Sequence, residues 1–465
     1  MAALHDFATW EPLLRRLRAD NAEVLATPGG YVAGHIDHDG WTMPWRRRTD
    51  RRRSAVIGEL KAMAAMTDGI QAAANRSGLD GVSFTAEISP AGTTVLHVLC
   101  TGPAVEGGIA TAHPGTLLLV EGAVAEPWRR LPDPTPEAVP APSADPVLLE
   151  RTLRERLPDA IGATEEEIAA AEDRLGIPLP DELKALYRVT RARSVDWGHG
   201  EAAYEAAGRV FEAVGCELGP LDFLYTADAS SRPAPWEFTA ERAVVTAPDA
   251  PVQGLVGSPG WLVFGDNGGG DRLAVDLSPG PGGHTGQIIM LDHEQFIGAE
   301  LLADSLTDLV LGRRRRWRLR DESCPPVVAA VDPHHPDREA AAVHPDLEVL
   351  TIGKRGGLPF SLAAFAGLPR LRTLTVAPGT LADPLQIAGL GALEFLALAP
   401  EDWRVLLDAG AVPRSLLAAR IRVRGDRDPL ATADLANELL ALWHRPLITR
   451  TVVEGDLGPE EGSWG

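Results

Sequence analysis

Lysine is almost missing from this chain: of 44 basic residues only Lys61, Lys184 and Lys354 are lysine, and the other 41 are arginine. Cysteine is nearly as scarce. Cys100, Cys216 and Cys324 lie far apart and are odd in number, which excludes a disulfide framework and any C-x-x-C zinc spacing. No apolar run approaches the ~20 residues that a membrane helix requires. The opening MAALHDFATWEPLLRRLRAD carries acids and arginines where an export signal needs an apolar core. A cytoplasmic protein without a membrane partner is therefore expected. The wealth of Ala, Gly, Pro and Arg suits a GC-rich bacterial genome.

What is present is negative charge. The 65 Asp and Glu leave a net charge of −21, which argues against nucleic acid as the main partner and suits a basic protein. A chain of 465 residues exceeds one ordinary core. Two proline-rich stretches divide it. LPDPTPEAVPAPSADP, residues 131–146, has six prolines in sixteen positions and reads as an extended linker. A second stretch, 321–346, has five. The expected division is an α+β module at 1–130, a domain at 147–320 and a third block at 347–465, with the two linkers between.

In the first block, SAVIGELKAMAAMTDGIQAAA places Leu60, Met63 and Ile70 near one helical face. GVSFTAEISPAGTTVLHVLC alternates Val82, Phe84, Ala86 and Ile88 before a turn and a second run, a hairpin pattern. The third block carries a repeat. Leu347-x-x-Leu350-x-Ile352 recurs as Leu371, Leu374, Val376 and as Leu393, Leu396, Leu398, with a fainter copy at Leu416, Ala419, Ile421. Steps of 24 and 22 residues with this L-x-x-L-x-L core are those of a small, irregular leucine-rich-repeat-like solenoid, a binding architecture.

The middle block opens on GATEEEIAAAEDRLGIPLPDELKALYRVT. Thr164 and Glu167 form a capping box, Ile168, Ala171 and Leu175 follow at helical spacing, and Gly176 ends the helix. A second helix turns Leu183, Leu186 and Tyr187 inward. WLVFGDNGGGDRLAVDLS follows, then HTGQIIMLDHE and an expected closing helix, FIGAELLADSLTDLVLG. The glycine run is not a P-loop, since no Lys-Ser/Thr follows it. It opens no helix, as a dinucleotide loop must, and the residues after Gly270 alternate as a strand. As a calcium loop it would have Gly268 and Leu277 where oxygen ligands belong. A hairpin remains, with glycines at the reversal.

This order of elements resembles the SMI1/KNR4 (SUKH) superfamily over residues 147–312, most specifically in the G-D-N-G-G-G-D turn and in LDHE. The likeness implies an α+β domain with a mixed sheet backed by helices and no catalytic activity; no cofactor or metal is expected. Bacterial members of that superfamily are mostly implicated as immunity proteins that neutralise toxins, often nucleases, and fungal relatives act as signalling scaffolds. Between 147 and 312 there are 28 Asp and Glu against 12 Lys and Arg, a net −16, so an acidic face would suit a basic toxin domain. Asp266, Asn267, Asp271 and Asp276 are the expected partner-binding residues. A multi-module scaffold binding host proteins is the alternative, and a metal-dependent enzyme built on Trp41, His35 and His38 a third. Two arginine tracts, 46–53 and 313–320, stand against the acidity.

Overall fold

The structure, a computed structural model, describes residues 2–38, 40–45, 53–107, 111–197, 200–243, 246–295, 297–314, 327–331, 343–354, 359–423 and 427–459. Most of the stretch 321–346 and of both arginine tracts falls outside these residues, as do Cys324 and 332–337. The chain is α+β and divides into two compact units. One comprises Met1–Ala123, Ala329–Pro345 and Leu350–Gly465, the other Val124–Val328 with Asp346–Val349. Residues from the first and third sequence blocks thus share a unit.

In the Val124–Val328 unit, five strands run in the order Glu300–Ala303, Gln287–Leu291, Arg272–Asp276, Trp261–Asp266, Glu217–Leu218, and Tyr225–Thr226 also pairs with Trp261–Asp266. Every pairing is antiparallel, where the resemblance implied a mixed sheet. The five-residue turn between Trp261–Asp266 and Arg272–Asp276 forces that pair to be antiparallel, since a parallel pair would need a crossover of roughly a dozen or more residues. Both faces are covered. Leu262, Phe264, Leu273, Val275 and Ile288 pack with Leu153, Leu183, Leu186 and Tyr187 from the helices. Trp261, Val263, Ala274 and Ile289 pack with Val252 and Leu255 from loops on the other side. Burial on two faces explains why WLVF is continuously apolar rather than alternating.

The capping box forms as read: Thr164 N donates to Glu167 Oε2 at 2.9 Å and Glu167 N to Thr164 Oγ1 at 3.2 Å. Gly176 ends that helix at φ 70°. The expected closing helix is instead a strand, Glu300–Ala303, followed by a five-residue helix, Leu306–Val310. Ser305 caps the helix through its hydroxyl, and the three buried residues Leu301, Leu302 and Ala303 complete the sheet. The proline-rich stretch holds two turns, closed by Ala138 N to Thr135 O and Ala144 N to Ala141 O, and it is tied to its unit: Thr285 N donates to Val139 O, and Asp133 N to Gln253 Oε1.

The described residues of the other unit form two sheets. One is antiparallel, in the order Thr449–Asp456, Thr93–Cys100, Gly81–Ile88, Val32–Asp37, Trp41–Thr42. The hairpin forms as expected, and Phe84 packs with Trp10, Met63 and Ile70 from the helices Phe7–Asp20 and Arg53–Arg76. Leu60 does not join them and is 41% exposed. In the second sheet, Thr373–Val376, Phe395–Leu398 and Ala418–Ile421 run parallel, one strand per sequence copy, and Leu117–Leu118 adds antiparallel at the edge. Every repeat position from Leu371 to Ile421 is buried.

Candidate protein-interaction surface

The hairpin tip is built by its own side chains. Asp266 Oδ1 accepts from Gly268 N at 2.7 Å and Gly270 N at 3.3 Å; Asn267 Oδ1 accepts from Gly269 N at 2.7 Å and Asp271 N at 3.1 Å. Gly268 and Gly270 take φ values of 84° and 100°, which an L side chain adopts only with strain. Glycine here serves the backbone, and Asp and Asn serve as acceptors for turn amides.

Asp271 leads outward to the LDHE segment. Its Oδ1 accepts from His293 N at 3.0 Å and lies 2.8 Å from His293 Nδ1, while Asn267 Nδ2 donates to Oδ2 at 2.6 Å. The bond to Asp271 raises the His293 pKa above its ordinary value. Burial pushes the Asp271 carboxyl upward, but the His293 and Asn267 bonds outweigh it and hold the pKa low. Asp271, Asp292 and His293 place ligand-type atoms within 4.8 Å of one another, the spacing a cation needs. Both Asp271 oxygens already accept hydrogen bonds, so the cluster is satisfied as it stands.

Arg232, which the sequence reading passed over, fixes this loop from beneath. It donates to Val256 O at 2.8 Å, Gly298 O at 3.0 Å and Asp292 O at 3.2 Å, and also to Gln295 O. Burial, with Arg272 nearby, brings its pKa down to about 10. A lone arginine in a Ser-Ser-Arg-Pro turn gives no sequence signal of this tether; only the fold brings four carbonyls to it.

Of the four expected partner-binding residues, three stand at the tip: Asn267 is exposed, and Asp266 and Asp271 are half-buried. Asp276 is not part of that surface. It lies at the far end of its strand, fully buried, because a five-residue strand carries it away from the turn. Beside the tip a cavity of about 340 Å³ is lined by Asn267, Asp271, Met290, Glu300 and Arg314 among others. Arg314 donates to Gly215 O, the carbonyl that ends the helix Glu201–Val214, a favourable place for a cation.

In the other unit, His35 is buried, 3.0 Å from Ser83 Oγ and 3.3 Å from Asp37 Oδ2, and burial lowers its pKa. His38 is exposed past the strand end, so the two histidines do not converge. A cavity of about 490 Å³ there is lined by Asn21, Tyr31, Met43, His113 and Arg427 among others. Asn21 already donates to Leu17 O and Pro44 O, and Arg427 pairs with Glu401. No helix among the described residues is long and apolar enough to cross a membrane.

Residues 162–312 match the SMI1 / KNR4 family (SUKH-1). This is the part of the chain that holds the capping box, the hairpin and the LDHE loop. A relative, the glucan synthesis regulatory protein of Neurospora crassa, is 37% identical over 67 residues, which are 14% of this chain and 13% of that protein. The chain thus spans a small fraction of that relative's length.

Proposed function

We propose, from the SMI1/KNR4 domain at 162–312, that this chain is a non-enzymatic binding protein that neutralises a basic toxin domain, such as a nuclease, by stoichiometric binding in the cytoplasm. The observation that carries the reading is charge: a net −16 between 147 and 312 out of −21 in the whole chain. Such a surface accelerates encounter with a basic cleft and covers it. The tip supports the reading because the Asp266 and Asn267 side chains hold the turn through hydrogen bonds to its own amides, and a turn held in this way loses less freedom on docking. In this reading the parallel, one-strand-per-repeat sheet is a short leucine-rich-repeat-like stack that offers a second binding surface. A regulatory scaffold for host proteins is the second reading. The name of the Neurospora relative, a regulatory protein, favours it.

The test is a pull-down at increasing salt, with the full chain as bait for toxin-like proteins encoded beside its gene. The expected result is a one-to-one complex with a basic domain that weakens with salt and is lost when residues 147–312 are deleted. Capture of a host protein through residues 347–421, with no toxin bound, would overturn it in favour of the scaffold.

A further inference from the structure

The helix Glu201–Val214 buries only its C-terminal part, through Val210, Ala213 and Val214. Its outer side carries two aromatic rings, Tyr204 at 82% exposure and Phe211 at 37%. At 3.6 residues per turn they lie on one line, about two turns apart, with Gly208 between them. Glu201, Glu205 and Glu212 form an exposed row alongside. Arg209 is the one basic residue of the helix and lies on the far flank of that row.

The hairpin tip continues this face. A methyl group built on Gly268 would lie 3.4 Å from Glu217 Oε1 and 3.9 Å from the Phe211 ring. Glu217 and Asp266 are directly opposed in the antiparallel pairing. Like charges so placed cost stability, which a cation supplied from outside would recover. Arg272, on the other side of Asp266, is turned away over the Tyr225 ring, 5.8 Å from its centroid. The face therefore combines one bare and one partly covered aromatic ring, a carboxylate frame and an opposed acidic pair.

We infer that the outer face of the helix Glu201–Val214, with the adjoining 266–270 turn, is the docking surface for an arginine-presenting segment of a basic protein. The partner's guanidinium groups stack on Tyr204 and Phe211, and Glu205, Glu212, Glu217 and Asp266 neutralise them. Guanidinium is preferred to ammonium because its plane stacks on a ring while its edge donates to carboxylates. The inference rests on the binding reading above and locates the contact within that domain.

The experiment titrates the full chain with fluorescein-labelled deca-arginine, followed by fluorescence anisotropy at low and high salt, with deca-lysine as comparison. The variants are Tyr204→Ala/Phe211→Ala, Glu205→Lys/Glu212→Lys and the control Glu166→Lys/Asp173→Lys, exposed carboxylates on another helix. All are exposed or at the rim, and melting curves check that each folds. Deca-arginine is expected to bind more tightly than deca-lysine. The aromatic double variant should weaken it about tenfold. The Glu205/Glu212 reversal should weaken it at least as much, and the control should change it little. Equal losses in the control and the reversal would mean unspecific attraction to an acidic chain and overturn the assignment. So would self-association of the chain that the aromatic variant abolishes, which would give the face to a second copy. A toxin complex indifferent to every variant would leave the binding reading standing and remove this surface from it. Variant-sensitive deca-arginine binding without any toxin complex would keep the surface and remove the toxin.

Discussion

Gln287 lies directly across the antiparallel ladder from Asp276, and its Nε2 donates to Asp276 Oδ2 at 2.9 Å, with both side chains fully buried. The same Nε2 reaches Pro251 O at 2.7 Å, and Ser278 N donates to Asp276 Oδ1 at 2.9 Å. Desolvation outweighs these bonds and pushes the Asp276 pKa up to about 7.

A pH dependence follows. The folded value lies above the unfolded value of about 4, so the folded chain keeps this proton over an interval in which the unfolded chain has lost it. Stability contributed by this group is therefore highest below about pH 4, falls between about 4 and 7, and stays low above. The fall is on the order of 4 kcal/mol. Asp276→Asn removes the titration and turns an amide toward Gln287, so it should melt lower at pH 5. The gap between variant and native chain should then narrow or reverse at pH 8. Melting curves at the two pH values check this, and a gap of constant size would sink the idea.

The His293–Asp271 pair titrates in the opposite senses. Raised His293 stabilises fully below its unfolded pKa and loses that contribution as pH rises through the folded one. Lowered Asp271 contributes above its unfolded value and loses as pH falls. In an NMR titration the His293 ring should show a midpoint above 6.5, and Asp271→Asn should bring it down. An unmoved midpoint would mean that the pair is open in solution.

Glu182 holds the last helix of its domain. Its carboxylate accepts from Leu306 N at 3.1 Å, from Thr307 N at 3.0 Å and from the Thr307 hydroxyl, all buried. Glu182→Ala strands these donors and should cost about 3 kcal/mol or more in urea unfolding. A loss under about 1 kcal/mol would mean that water replaces the carboxylate at little cost.

Leu396 is fully buried in the repeat sheet, paired in register between Leu374 and Ala419. Leu396→Ala should cost about 2–5 kcal/mol. Ala419→Leu, which restores the repeat's own letter, should cost about 1–3 kcal/mol by overpacking, since the fourth copy is built around a small residue. Stabilisation by Ala419→Leu would show that this site has room.

Much of the fold was legible because it is local. The capping box needs only Thr164 and Glu167 three apart, and the tip needs only glycines flanked by short acceptors, so both could be read without a fold. The repeat strands were legible because every copy buries the same positions. Leu60 and the 296–312 run were misread for one reason: an apolar stretch shows that it will be buried, and a neighbouring element selects the face or the backbone form.

The sequence by itself determined the charge, the turn chemistry, the period of the repeat and the likeness of 162–312 to a known family. These are set by residues adjacent in the chain, whose geometry does not depend on what packs above them. Only the tertiary structure decided that Asp276 is buried while Asp266 is not, that Arg232 gathers four distant carbonyls, and that Phe211 and Glu217 meet the glycine turn. Each depends on segments tens of residues apart, whose approach is governed by the shared core and leaves no trace in local spacing.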